Sequence, residues 1–317
     1  KALYSIDQSF NTCTNKLFYL SVSPTLYDPI LQNLADSGLS IGCTGKHPGW
    51  TRIAIEKPFG ENLETAQALD KKLALLFPEE QIFRIDHYLG KSALENILAF
   101  RFANSLFESV WNSTFIEKIS IRIFEKRGIK DRGSFFESVG QLRDMGQGHL
   151  LQMLALVTMD DPGEFSADAL RSSRAQVIEA LQLPEGGVCT HGQYASYREE
   201  CSVDDNSLIE TYFAVEATLA LSRWEHTQIF LESGKKMGED KVEIEVLFRE
   251  MSSSICSATD ENVQQNRVVF RIQPDAHISM RVWVKKPGYT MEIEPREVSF
   301  PFLSNPDLRT YDAYEKL

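Results

Sequence analysis

The chain reads as an α/β segment followed by an α+β domain: a partial doubly wound parallel sheet, then a large, mainly antiparallel sheet. Three observations carry that reading. Short apolar runs alternate with helical patterns up to about residue 85. From Leu208 onward, strand-like runs follow one another with period-two alternation. Between them, residues 135–159 form a long apolar helical pattern.

The elements follow in order. Leu17–Ser23 (LFYLSVS) is a short apolar run closed by Pro24, as expected of a buried strand. A helix with Leu26, Ile30, Leu31 and Leu34 on one side follows and ends near Gly38. Arg52–Ile55 is a second buried strand, closed by Glu56-Lys57-Pro58-Phe59-Gly60. Asn62 caps a helix running through Phe77, with Leu63, Ala66, Leu69, Leu73 and Leu76 spaced for burial. No strand leads into residue 1, so only the tail of a doubly wound unit is expected here. Lys91–Phe107 has helical spacing, and Ile116–Phe124 alternates as a half-buried strand. A Gly-bearing loop, Glu125–Ser134, leads to the helix predicted over Phe135–Met159, which Asp160-Asp161-Pro162-Gly163 stops. Ala167–Leu181 is a further helix, and 184–207 is expected to be loop. The last strands are Glu210–Leu221, Thr227–Leu231, Lys241–Phe248, Arg267–Gln273 and Ile278–Val284.

Bulk properties narrow the function classes. The 317 residues suffice for one large or two ordinary domains. A net charge of −12 argues against a nucleic-acid surface, so a phosphorylated ligand needs a local basic pocket. No apolar run reaches membrane-spanning length, and no targeting pattern is visible at the start. The five cysteines (Cys13, Cys43, Cys189, Cys201, Cys256) lack metal-type spacing. They read as reduced thiols in a cytoplasmic protein without a metal site.

Two glycine patterns are discounted. Gly42-Cys43-Thr44-Gly45-Lys46 lacks the spacing of a phosphate loop, and Gly146-Gln147-Gly148 lies within a helical pattern with no strand before it. The octapeptide Arg84-Ile85-Asp86-His87-Tyr88-Leu89-Gly90-Lys91 is more informative. It ends where a helix begins, and free backbone N–H groups and the helix dipole suit an anion there. His87, Tyr88 and Lys91 add three donors, so phosphate is the natural guest. Asp86 repels phosphate and needs another task. Lys57 and Pro58 stand at the carboxyl end of a strand expected to be parallel, where α/β sheets bind ligands. Asp144 and His149 share one helical pattern. Five positions apart, they would lie about 140° from each other on an ideal α-helix. Gly146 and Gly148 each cost about 1 kcal/mol in a helix, which suggests close packing there.

These segments, in order, resemble the glucose-6-phosphate dehydrogenase family: LFYLSVSP, IEKPFG, RIDHYLGK, FRFAN, RDMGQGHLLQM, FRIQP and KKPG. The resemblance covers nearly the whole chain. It implies oxidation of glucose 6-phosphate to 6-phosphogluconolactone, the first step of the oxidative pentose phosphate pathway, with hydride passed to NADP or NAD. It makes His149 the base and Asp86 the carboxylate that orients it. It places Lys57, His87, Tyr88, Lys91, Glu125, Asp144, Lys235 and Gln273 on the substrate, and Lys57, Pro24 and Pro58 beside the nicotinamide. The change of pattern places a boundary near residue 85, and the resemblance makes 1–85 the C-terminal part of a Rossmann-like dinucleotide-binding domain and 86–317 a substrate-binding and oligomerisation domain. The resemblance implies a homodimer or tetramer formed through the antiparallel sheet.

Departures from the family pattern are specific. Gly148 stands where the family usually has Asn, and Asp240 where a second basic residue is expected, with Lys241 next to it. Glu232 and Glu245 replace arginines that hold an additional structural dinucleotide in some relatives, so no second dinucleotide site is expected. The family's glycine-rich phosphate loop and its final C-terminal stretch are not within the sequence. Gly148, Asp240 and the missing loop motivate a second reading, a catalytically degenerate paralogue or regulatory subunit with the same fold.

Overall fold

The computed structural model describes residues 2–10, 13–42, 49–251 and 265–302. Cys43, Cys256, part of the discounted Gly42–Lys46 run and the family-like segment Asp312–Leu317 lie outside them. The chain forms two compact units, Lys1–Asp86 and His87–Lys316.

The first unit runs α1 (Ala2–Phe10), β1 (Lys16–Leu20), α2 (Tyr27–Asp36), β2 (Thr51–Ile55), α3 (Leu63–Leu76) and β3 (Ile82–Arg84). Its sheet has the order β1-β2-β3 and is parallel throughout, with Leu20 opposite Ile55 and Ile55 opposite Arg84. Leu20, Ile53, Ile55 and Ile82 from the strands pack with Leu31, Leu34 and Leu73 from the helices. The expected cap is present: the Asn62 side chain accepts from the Thr65 N–H at 2.9 Å, and the Thr65 hydroxyl accepts from the Asn62 N–H at 3.1 Å. This reciprocal pair satisfies backbone donors that a helix start leaves open. Neither α1 nor the three-residue β3 is among the elements expected from the sequence.

The second unit opens with α4 (Ser92–Phe102) and α5 (Ser105–Glu108) where one helix was predicted. Asn104 explains the break, because its amide donates to the Ala99 and Phe100 carbonyls and competes with the helix ladder. Next come β4 (Ile116–Glu125) and α6 (Gly133–Gln141), then a π-helical segment (Leu142–Leu150), α7 (Leu151–Thr158) and α8 (Ala167–Glu179). The single helix expected over 135–159 is therefore three pieces. Gly140 takes φ 74° and ψ 172°, a left-handed backbone that L side chains rarely adopt, and interrupts the first of them.

Strands β5 (Leu181–Gln182), β6 (Cys189–Gly192), β7 (Tyr212–Leu219), β8 (Gln228–Lys235), β9 (Lys241–Phe248), β10 (Arg267–Gln273), β11 (His277–Lys285) and β12 (Ile293–Pro301) complete the unit. The nine-stranded sheet has the order β12-β11-β10-β9-β4-β8-β7-β5, with β6 also paired to β7. It is mainly antiparallel, with β4 and β8 paired in parallel. The expected fold class is thus the observed one. β12 is not among the strands expected from the sequence, and its Pro295 and Pro301 suit an edge strand.

Behind the sheet, α7 is buried along nearly its whole length, and its last carbonyls are capped by side chains from elsewhere in the unit. Arg101 donates to the Leu156 carbonyl at 3.1 Å, the Trp111 indole to Val157 at 2.8 Å, and the Trp224 indole to Thr158 at 2.7 Å. Helix ends leave such carbonyls without internal partners, and a cation is favoured there. Burial pulls the Arg101 guanidinium down to about 10, opposed by Glu108 beside it.

Cys189 and Cys201 are free thiols. Cys13 is disulfide-bonded, so the expectation of reduced cysteines is corrected at that position.

Candidate active site

In the second unit the expected site residues fall into two groups, one on the turn before α4, the π-helical segment and the end of β10, the other at the ends of β4 and β8. His149 is 1% exposed and stands in a cluster of three rings. Tyr88 stacks on it, with centroids 3.8 Å apart and planes at 22°. His87 meets both rings edge-on, at 5.1 Å from His149 and 5.0 Å from Tyr88. The Lys91 ammonium lies 3.8 Å from the Tyr88 ring centroid and donates to Gln273 Oε1 at 3.0 Å. Lys91 is the N-cap of α4, so its amine sits beside the helix start that favours an anion. His87, Tyr88, Lys91, His149 and Gln273 are therefore brought together, although Gln273 is 182 positions from Lys91 in sequence.

The π-helical geometry changes the expected relation of Asp144 to His149. A π turn closes between residues i and i+5, so positions five apart lie about one turn on from each other. The 140° separation expected on an α-helix does not apply, and Asp144 and His149 share one side of the segment. Gly146 permits this close packing: a Cβ there would meet the Phe213 ring at 2.9 Å.

Lys235 and Glu125 form a second group. They are register partners across the parallel β4–β8 pair, and Lys235 Nζ lies 2.5 Å from Glu125 Oε2. The ammonium is buried and faces the Phe136 ring at 5.5 Å. The chain turns sharply after this pair, because Lys236 takes φ 53° and its N–H donates to the Arg127 carbonyl. Asp240, found where a basic residue was expected, accepts from the Lys126 N–H at 2.8 Å. Lys241 pairs with Glu239 and holds that carboxyl below its usual range. On the same sheet Arg122 bridges Glu232, Glu243 and Glu245, so the two glutamates in the arginine positions are occupied by an internal cation.

A supporting network was not legible in the sequence. Gln141 is fully buried and donates to the Ser233 hydroxyl at 2.7 Å, which donates to the Ile123 carbonyl at 2.8 Å. Glu210 accepts from the Leu142 N–H at 2.9 Å, and its backbone carbonyl accepts from Gln141. Together they fix the junction between α6 and the π-helical segment against β4 and β8. A glycine followed by glutamine inside an apolar run was the available signal.

In the first unit, Pro24 follows β1, and Lys57 and Pro58 follow β2. Both strands are parallel and in register, so the three residues collect at the carboxyl edge of the sheet. The turn is fixed by Tyr27, whose hydroxyl donates to the Glu56 carbonyl at 2.7 Å, and by Tyr19, which bonds the Glu56 carboxylate. A lysine and two proline rings at that edge fit the nicotinamide end of a dinucleotide. Asp86, half-buried, is the last residue of this unit.

Comparison with known proteins shows the family. The family model "Glucose-6-phosphate dehydrogenase, NAD binding domain" matches residues 1–96, and "Glucose-6-phosphate dehydrogenase, C-terminal domain" matches residues 98–317. The chain is 38% identical to a glucose-6-phosphate 1-dehydrogenase of Chlamydia muridarum, over 99% of this chain and 65% of that protein. It is 34% identical to one of Bacillus subtilis, over 99% of this chain and 66% of that protein. The fold superposes with a TM-score of 0.87 and 31% identity on a glucose-6-phosphate dehydrogenase solved in complex with its substrate glucose-6-phosphate, covering 98% of this chain and 64% of that one. A glucose-6-phosphate 1-dehydrogenase from Mycobacterium avium gives a TM-score of 0.82 at 33% identity. The chain thus spans about two thirds of the length of these relatives. Matched in order by both family domains and by whole-chain relatives, it belongs to the glucose-6-phosphate dehydrogenase family.

Proposed function

We propose that this chain carries the substrate site and part of the dinucleotide site of an enzyme that oxidises glucose 6-phosphate at its anomeric carbon to 6-phosphogluconolactone. The observation that supports this best is the buried His149 among His87, Tyr88 and Lys91: an imidazole beside donors suited to a sugar phosphate. His149 takes the proton of the anomeric hydroxyl, since hydride loss from a neutral alcohol is unfavourable. Asp86 keeps the part that the family resemblance gives it, the carboxylate that stabilises the protonated base. His87, Tyr88 and Lys91 hold the phosphate, with Gln273 aiming Lys91. Lys235, Glu125 and Asp144 bond the sugar hydroxyls.

NADP, or alternatively NAD, supplies the two-electron acceptor when bound. Lys57, Pro24 and Pro58 border its nicotinamide, and Lys57 keeps the substrate role that the family resemblance gives it. We place the protein in the cytoplasm; the described residues contain no helix long and apolar enough to cross a membrane. We assign a homodimer or tetramer contact to the mainly antiparallel sheet.

The test is direct. The full-length protein should reduce NADP or NAD with glucose 6-phosphate. His149→Asn should abolish turnover and leave sugar-phosphate binding largely intact by calorimetry. Binding without turnover by the wild type, with either dinucleotide, would overturn the enzymatic reading.

A further inference from the structure

Tyr88 offers two different surfaces to the site. Its hydroxyl is the group already given to the phosphate. Its ring lies face to face with His149, 3.8 Å between centroids and 22° between planes, and both residues are buried, at 7% and 1% exposure. This differs from the edge contact that His87 makes with the same imidazole, at 5.1 Å and 76°. Stacked rings resist rotation about the side-chain bond that swings an imidazole through its range of planes. Gly148 precedes the histidine and Gly146 is three positions back, so neither position adds a side chain beside the imidazole. The same Tyr88 ring is also 3.8 Å from the Lys91 ammonium, which Gln273 holds at 3.0 Å. Tyr88 is thus clamped by a cation whose position is set from β10, and it clamps the imidazole in turn.

We infer that the Tyr88 ring, independently of its hydroxyl, is the positioning surface that fixes the plane of the His149 imidazole. The hydroxyl serves affinity and the ring serves turnover. This deepens the proposed dehydrogenase reading and rests on it for its kinetic consequence, while the stacking can be tested without any activity.

The experiment separates ring from hydroxyl in the full-length protein. Tyr88→Phe keeps the ring: KM for glucose 6-phosphate should rise about tenfold, the scale of one lost hydrogen bond, while kcat falls less than threefold. Tyr88→Leu removes the ring: kcat should fall at least a further tenfold. In NMR spectra of the ¹³C-histidine-labelled protein, the His149 ring protons should be shifted by the stacked phenol in the wild type and in Tyr88→Phe, and should lose that shift in Tyr88→Leu. Tyr88→Met is the second ring-free variant if leucine prevents folding. Equal kcat for the phenylalanine and ring-free variants overturns the inference, as do unchanged His149 signals without the ring. If the wild type fails to oxidise glucose 6-phosphate, the dehydrogenase reading fails, and the NMR arm still decides whether the ring holds the imidazole.

Discussion

Lys235 and Glu125 face each other as register partners across the parallel β4–β8 pair, with the lysine ammonium almost wholly removed from solvent. A buried cation is tolerable only with a close counter-charge. Glu125→Gln should therefore destabilise the protein by about 2 kcal/mol, because it leaves the ammonium poorly paired. Lys235→Met should cost less, since Glu125 is partly exposed and can be solvated. The double variant should be more stable than the sum of the singles by at least about 1 kcal/mol. Urea unfolding of the four proteins measures this, and strict additivity would show that the pair is not coupled.

Gly140→Ala tests the junction ahead of the π-helical segment. A Cβ there would approach Glu210 Oε1 to 2.6 Å, on a backbone with φ 74° that disfavours alanine. The Glu210 carboxylate would have to leave the Leu142 N–H that it caps. A loss of about 1–3 kcal/mol is expected from strain and the lost cap together. Thermal unfolding should show it. Gly163→Ala, also at positive φ but with open space around its Cβ, separates backbone strain from the clash with Glu210.

Acid stability should depend on Asp7. Its carboxyl is held at about 2 by the Thr14 hydroxyl and amide and by the Lys16 ammonium. A folded pKa below the unfolded one contributes stability above about pH 4, the ordinary carboxylate value, and that contribution is lost as pH falls towards 2. Asp7→Asn should lower Tm at pH 6. Between pH 4 and 2 its Tm should fall less steeply than that of the wild type. Parallel Tm curves over that window would show that Asp7 is not held as described.

Arg101→Met removes a buried cation from the end of α7. It frees the Leu156 carbonyl and leaves Glu108 to Arg223 alone. A loss of about 3 kcal/mol is expected, seen as a lower urea midpoint. Trp111→Phe, which removes one indole donor from the Val157 carbonyl, should cost about 1–3 kcal/mol.

The parts of this fold that periodicity and capping rules describe were legible in the sequence. Asn62 announced its helix, β9 and β10 match their period-two runs end to end, and the RIDHYLGK peptide marked the ring cluster. What escaped depends on long-range partners. The helix predicted over 91–107 breaks because the Asn104 side chain turns back on its own carbonyls. The helix predicted over 135–159 breaks at Gly140, and the Glu210 that caps the next piece is 68 residues from Leu142. The contact between Lys91 and Gln273 joins two sequence motifs whose proximity no spacing rule contains. Asp240 looked like the loss of a binding residue, and the structure shows its carboxylate capping the Lys126 amide.

The π-helical turn carrying Asp144 and His149 makes this stretch sensitive to chain length. A single deletion at Gly148 would let residues 142–150 relax towards an ordinary α-helix, with a rotation of about 100° per residue removed. Composition and hydrophobicity would hardly change, and Asp144 would stay on His149's side as an i,i+4 neighbour, yet the residues before the deletion would rotate as a block relative to α7. A change of length across 142–150 would therefore re-aim α6 against α7 in a way that a substitution of similar size would not.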